Sequence, residues 1–116
     1  KADYTNTFAA LTLNKSCEDK LFSSMKFKNW HKKWKERINF SDKNFKGKQL
    51  MKNQNPLVIP RNHLVESALQ KSAVGDFDKL NEMLDLVSRP YELKSNFSFQ
   101  NVPTGFDENY KTFCGT

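Results

Sequence analysis

The side chains of this 116-residue chain best suited to nucleophilic or metal chemistry are Cys17, Cys114, His31 and His63, the only cysteines and histidines it has. A cysteine activated by a nearby imidazole is a nucleophile, and such partners meet in space rather than in sequence. No further signature accompanies these four residues. Their spacing is not that of a zinc site, and the chain has no glycine-rich phosphate loop and no strand–Ser–helix elbow. The sequence therefore assigns no catalytic residue, no cofactor-binding residue and no metal ligand, and the chain is not expected to catalyse a reaction alone. Cys17 stands beside Glu18 and Asp19, whose negative charge disfavours a thiolate. Cys114 is the third residue from the end of the sequence, a position whose reach and access suit a reactive thiol.

A second constellation is aromatic and basic. Phe27, Trp30, Trp34 and Ile38 recur at i, i+3, i+7 and i+11, which is one face of a helix. Lys28, Lys32, Lys33 and Lys35 fall largely off that face. Between Lys26 and Lys52 there are ten lysines or arginines against Glu36 and Asp42, a local charge of +8 within a chain of net charge +6. Rings among cations can stack bases in a single-strand binder. Two tryptophans at helical spacing can equally be core anchors, and Trp30 and Trp34 are read here as core. Their exposure separates the two readings.

These residues need helices to position them. Tyr4, Phe8 and Leu11 share a helix face, with Asp3 placed to satisfy open N–H groups at its start. Ser16 to Asp19 resembles a capping box ahead of Leu21 and Phe22 and announces a short second helix. Residues 42–53 form another, weakened by Gly47 and ended by Asn55-Pro56. Pro60 keeps the next residues extended. Asn62 then caps a helix carrying Leu64, Val65, Ala68 and Leu69, with Arg61 beside it as a candidate for pairing with a carboxylate. Gly75 suits a left-handed helix end and Asp76 the cap of a helix through Leu80, Met83, Leu84 and Val87, so Gly75-Asp76 is the corner of an αα-hairpin stopped by Pro90. The expected fold is all-α with four to six helices and no sheet. It comprises a helical domain over 1–90 and an extended tail over 91–116 that docks its many aromatic rings. The expected core holds Phe8, Leu11, Trp30, Trp34, Leu64, Leu80 and Leu84.

The apolar fraction of 37% is low for a globular domain, as suits a piece that leans on another domain. No apolar run is long enough to span a membrane and no secretion signal is seen. A reducing, cytoplasmic setting is expected, with both cysteines free by default. The acceptor patterns at Asn14 and Asn96 are read as chance matches.

The stretch Asn55-Pro56-Leu57-Val58-Ile59-Pro60-Arg61-Asn62 resembles the Asn-Pro-x-x-x-x-Arg-Asn segment of the selenoprotein O / YdiU family. The likeness continues through Leu64 to Ala73, Gly75-Asp76-Phe77, Leu80 to Val87 and Arg89-Pro90-Tyr91. Upstream it takes in Asp3-Tyr4-Thr5 with Phe8 and Leu11, and Trp30-x-x-x-Trp34-x-x-Arg37-Ile38. Cys114 occupies the place where family members carry a terminal cysteine or selenocysteine. Gly47 departs from the pattern. The resemblance implies a C-terminal piece of a pseudokinase adenylyltransferase, an enzyme with a protein-kinase-like fold that moves AMP from ATP to protein Ser, Thr or Tyr hydroxyls with Mg²⁺ or Mn²⁺. It implies that the catalytic residues, ATP and metal belong to a core outside this chain. It implies as partners the kinase-like core of the same polypeptide and the protein substrates; no membrane partner is expected, and nucleic acid is not the expected partner. It also implies that Cys114 pairs with a cysteine of that core as a redox switch. Within this chain Cys114 is expected to be unpaired, among poorly ordered last residues. The rival reading is a stand-alone basic helical module that binds nucleic acid.

Overall fold

The computed structural model describes residues 2–16, 20–41, 46–94, 97, 98 and 100–111. All regular structure among them is helical: α1 (Tyr4–Leu13), α2 (Lys20–Ser23), α3 (Met25–Ser41), α4 (Lys46–Gln54), α5 (Asn62–Ser72), α6 (Asp78–Ser88) and α7 (Phe106–Asn109). α2 and α7 are single turns of four residues. The other five are the helices announced by the hydrophobic spacing. The chain divides into two compact units, Lys1–Val58 with Pro90–Phe99, and Ile59–Arg89 with Gln100–Thr116.

In the first unit, Asp3 is the N-cap of α1. Its Oδ1 accepts the Asn6 N–H at 2.8 Å, satisfying a backbone donor that the helix leaves open. The helix ends on Asn14 in the left-handed region, φ 52°. There the N–H groups of Asn14 and Lys15 bond back to the carbonyls of Leu11 and Ala10 at 3.3 and 2.9 Å, the pairing of a Schellman end. α1 packs on α4 and α2 on α3. The Asn55 amide, just past α4, donates to Thr12 Oγ1 at 2.8 Å. Gly47 lies within α4. Leu57 and Val58 are buried, and the Leu57 N–H donates to the Pro90 carbonyl at 2.7 Å.

The second unit is the α5–α6 hairpin with part of the tail. Gly75 has φ +87°. Its N–H and that of Asp76 bond to the carbonyls of Ser72 and Lys71 at 3.0 and 3.1 Å, a second Schellman end with glycine at the left-handed place. Asp76 then serves both arms. Its Oδ2 accepts from Lys71 Nζ at 2.8 Å, and its Oδ1 from the Asp78 N–H at 3.2 Å. The Lys71 hydrogen bond comes first, then the Asp78 N–H, in holding the Asp76 carboxyl below its ordinary range. The same hydrogen bond raises Lys71. Lys79 Nζ reaches across the hairpin to Ser67 Oγ at 2.8 Å. The tail docks on α5. Gln100 Oε1 accepts the Ile59 N–H at 3.1 Å. Phe106 meets His63 edge-on at 5.6 Å and stacks with Tyr110 at 5.0 Å. The Tyr110 hydroxyl donates to Glu66 Oε1 at 3.1 Å. The expected docking of aromatic rings is thus present, and α7 adds a helical turn to a tail expected to be extended throughout.

The core differs from expectation. Leu11 is buried, but Phe8, Trp34 and Leu80 are half-buried, and Trp30, Leu64 and Leu84 are exposed. The buried positions are smaller: Ala9 and Ala10 at 0% exposure and Ala68 at 1%, with Phe27, Leu57 and Val58. Periodicity finds the apolar face of a helix. It does not say how much neighbouring surface covers that face, and in so short a chain little does. The cap of α5 is also displaced by one residue. Arg61 takes the extended N-cap conformation, with no side-chain cap bond, while Asn62 is the first helical residue. A side chain with helical backbone geometry no longer folds over the open N–H groups of the first turn.

Candidate functional site

α3 carries the densest arrangement of chemically distinctive side chains. Along one side of it runs a ladder of rings. Phe27 lies 4.6 Å from Phe22, 5.5 Å from Trp30 and 5.5 Å from His31. Trp34 stacks on Trp30 at 5.8 Å with 20° between planes, and meets His31 at 5.5 Å. Ser24 starts the helix by accepting the Phe27 N–H on Oγ at 3.2 Å. His31 is thus enclosed by three aromatic rings. Burial, and then the positive charge of Lys35, hold its pKa below the ordinary histidine value of 6.5, so it is neutral at pH 7. The spacing i, i+4, i+7 of Phe27, His31 and Trp34 contains this cluster, but a histidine between tryptophans reads as polar in a hydrophobic pattern and escapes it.

Two clefts flank the ladder. One of about 310 Å³ lies among Leu11, Thr12, Trp34, Ile38, Lys48 and Met51. The other, about 240 Å³, has Phe22, Phe27 and His31 on one side and Ala10 and Asn14 on the other, with Lys28 and Lys35 among its basic residues. The first is mainly apolar and the second mixed, and both are edged by lysines. Neither brings together a base, a nucleophile and an oxyanion donor. Among the described residues no three histidine, cysteine or acidic side chains are grouped to hold a metal ion.

The residues singled out from the sequence belong to both units. Trp30 and Trp34 sit together on α3, the first 46% exposed and the second half-buried. The tryptophan pair thus gives each of the two sequence readings one ring. Arg61 is half-buried at the N-terminus of α5 and Asn62 beside it is exposed. His63, from the same turn, buries Nδ1 without a hydrogen-bond partner and packs edge-on against Phe106. Cys17 and Cys114 lie outside the described residues, and with them the expectations about their pairing.

The whole chain aligns at 43% identity with the protein nucleotidyltransferase YdiU of Clostridium beijerinckii. The chain is related to the YdiU family throughout. Its identity to YdiU of Clostridium perfringens is 42%, and to YdiU of Bacillus thuringiensis 40%, in each case over 100% of this chain and 24% of the relative. This YdiU-related chain thus spans about a quarter of the length of the curated relatives it matches. No family model and no solved structure matches it. Among the described residues no helix is long and apolar enough to cross a membrane.

Proposed function

We propose that this chain is the helical C-terminal part of a SelO-like protein adenylyltransferase. The parent transfers AMP from ATP, with Mg²⁺ or Mn²⁺, to protein Ser, Thr or Tyr hydroxyls in the cytoplasm. In this reading the chain buttresses a kinase-like core and performs no chemistry alone. The observation that carries it is the alignment of all of this chain with a quarter of each nucleotidyltransferase. The surface supports it. Tyr4, Met25, Leu50, Leu69, Val74, Phe77, Leu84 and Leu93 are all at least half exposed. In this reading a further domain covers part of that apolar surface.

Nucleotidyl transfer needs metals and cationic groups positioned around the phosphates, and among the described residues no three histidine, cysteine or acidic side chains are grouped to hold a metal ion. Incubation of the purified chain with labelled ATP and Mn²⁺ should give no labelled protein, whereas the full-length parent should label itself or added substrates. Robust labelling by the 116-residue chain would overturn this reading. Cys114 is the proposed redox element, its thiol oxidised to a disulfide with a core cysteine. Mild oxidation of the parent and mass mapping of its disulfides tests this. Pairing of Cys114 with Cys17 alone, or no pairing, removes the redox role.

A further inference from the structure

Trp30 is not part of the buried ladder in the way Phe27 is. It is 46% exposed where Phe27 is 8% exposed. Its neighbours on the outer side of α3 are set by helix geometry. Lys26, Trp30, Lys33 and Arg37 follow at i, i+4, i+7 and i+11 and so fall on one stripe. All four are exposed. The stripe runs about 17 Å at 1.5 Å per residue. Glu36, the only carboxylate of α3, lies off it. Behind the stripe Trp30 is steadied by Phe27 at 5.5 Å and Trp34 at 5.8 Å, so the ring is held in place before any ligand arrives.

From this arrangement we infer that the Lys26–Trp30–Lys33–Arg37 stripe binds single-stranded nucleic acid, with a base stacked on Trp30 and phosphates on the flanking cations. Three features select this partner. An exposed indole offers a sequence-tolerant stacking face. The cations before and after it are spaced to follow a backbone rather than to grip one ion. The surrounding segment is strongly basic, which draws a polyanion and would repel a basic peptide. A purely apolar partner would strip water from Lys26 and Lys33 without offering them a counter-charge.

Trp30 and Trp34 are the only tryptophans, so intrinsic emission reports on this helix alone. The test is titration of the chain at about 50 mM salt with an oligothymidylate of about 12 nucleotides, within the range such sites cover. Emission should be quenched on binding. Trp30→Ala should raise Kd roughly tenfold or more, given the usual worth of one stacked base, while Trp30→Phe keeps most of the affinity. The slope of log K against log salt is about −0.7 per phosphate neutralised, so Lys26→Ala/Lys33→Ala should flatten it by about 1.4. Heparin, a polyanion without bases, should bind wild type and Trp30→Ala alike. Absence of binding, an unchanged Kd for Trp30→Ala, or an unchanged slope for the double lysine variant would overturn the proposal. Far-UV circular dichroism confirms that each variant keeps its helices, and the lysine variant, altered only at exposed positions, decides the matter if Trp30→Ala does not fold.

Discussion

Removing the indole of Trp34 should cost more stability than removing that of Trp30, though the two rings stack on each other. Deleting a fully buried large aromatic side chain costs about 3–5 kcal/mol. Trp34 is half-buried and borders the larger cleft beside Leu11, Ile38 and Met51, so part of that penalty is absent from the start. About 2 kcal/mol is the expected loss for Trp34→Ala. Trp30 is 46% exposed, and Trp30→Ala should cost about 1 kcal/mol or less. The stacked pair adds a coupling of about 0.5–1.5 kcal/mol, so the double variant should lose less than the two single variants together. Urea unfolding followed by far-UV circular dichroism measures all four proteins. With a slope of about 1 kcal/mol per molar urea, Trp34→Ala should lower the midpoint by about 2 M. A Trp30→Ala loss equal to or larger than that of Trp34→Ala would refute the assignment of an inward and an outward tryptophan, and strict additivity would refute the stack.

Gly75→Ala should destabilise by about 1 kcal/mol through backbone conformation alone, because a Cβ there would meet no atom within 4 Å; Gly75→Asn should cost less, and equal thermal melts for alanine and glycine would contradict the left-handed corner. His31 should titrate below 6.5 in a nuclear magnetic resonance pH series. Its folded pKa is the lower one, so between the two values the unfolded chain binds more protons; stability falls as pH drops below the unfolded value and levels off below the folded one. A His31 that titrates normally would remove it from the ring enclosure. Asp76 should titrate below its ordinary range, adding stability above the unfolded pKa that is lost as pH falls through the depressed one. The Lys71 pair is exposed, so 1 M salt should move Asp76 back toward its ordinary value, and Asp76 insensitive to salt would contradict the pairing.

What the sequence made legible was local. Asp3, Gly75 and Pro90 act within a few residues of themselves, through hydrogen bonds and φ preferences that need no knowledge of the rest of the chain, and each stands where its chemistry placed it. The core was not local. Large apolar residues such as Leu64 and Leu84 mark a helix face, yet their exposure depends on surface from elsewhere. Alanines such as Ala9, Ala10 and Ala68 attract no attention in a pattern search, yet small side chains are what let helices approach closely. Leu57 and Val58 sit between two prolines in a stretch that breaks the helical pattern, so their burial carried no periodic signal. On α3 the aromatic face was visible, but the 20° stack of its tryptophans and the desolvation of His31 arise from the packing of rings in space.

The bond from Leu57 to Pro90 closes the first unit around a long excursion, since the chain leaves that unit after Val58 and re-enters it at Pro90. During synthesis the N-terminal helices must therefore wait for the hairpin to be made before their unit can be completed. Closing a flexible loop of that length costs about 3 kcal/mol in chain entropy. α5 and α6 meet early, because their contacts are local, and the finished hairpin shortens the loop that remains to be closed. The chain crosses between the units a third time after Phe99. A single protease cut at any one crossing thus leaves the two units tethered, and a nascent chain stalled before Pro90 shows Leu57 and Val58 to solvent and to chaperones.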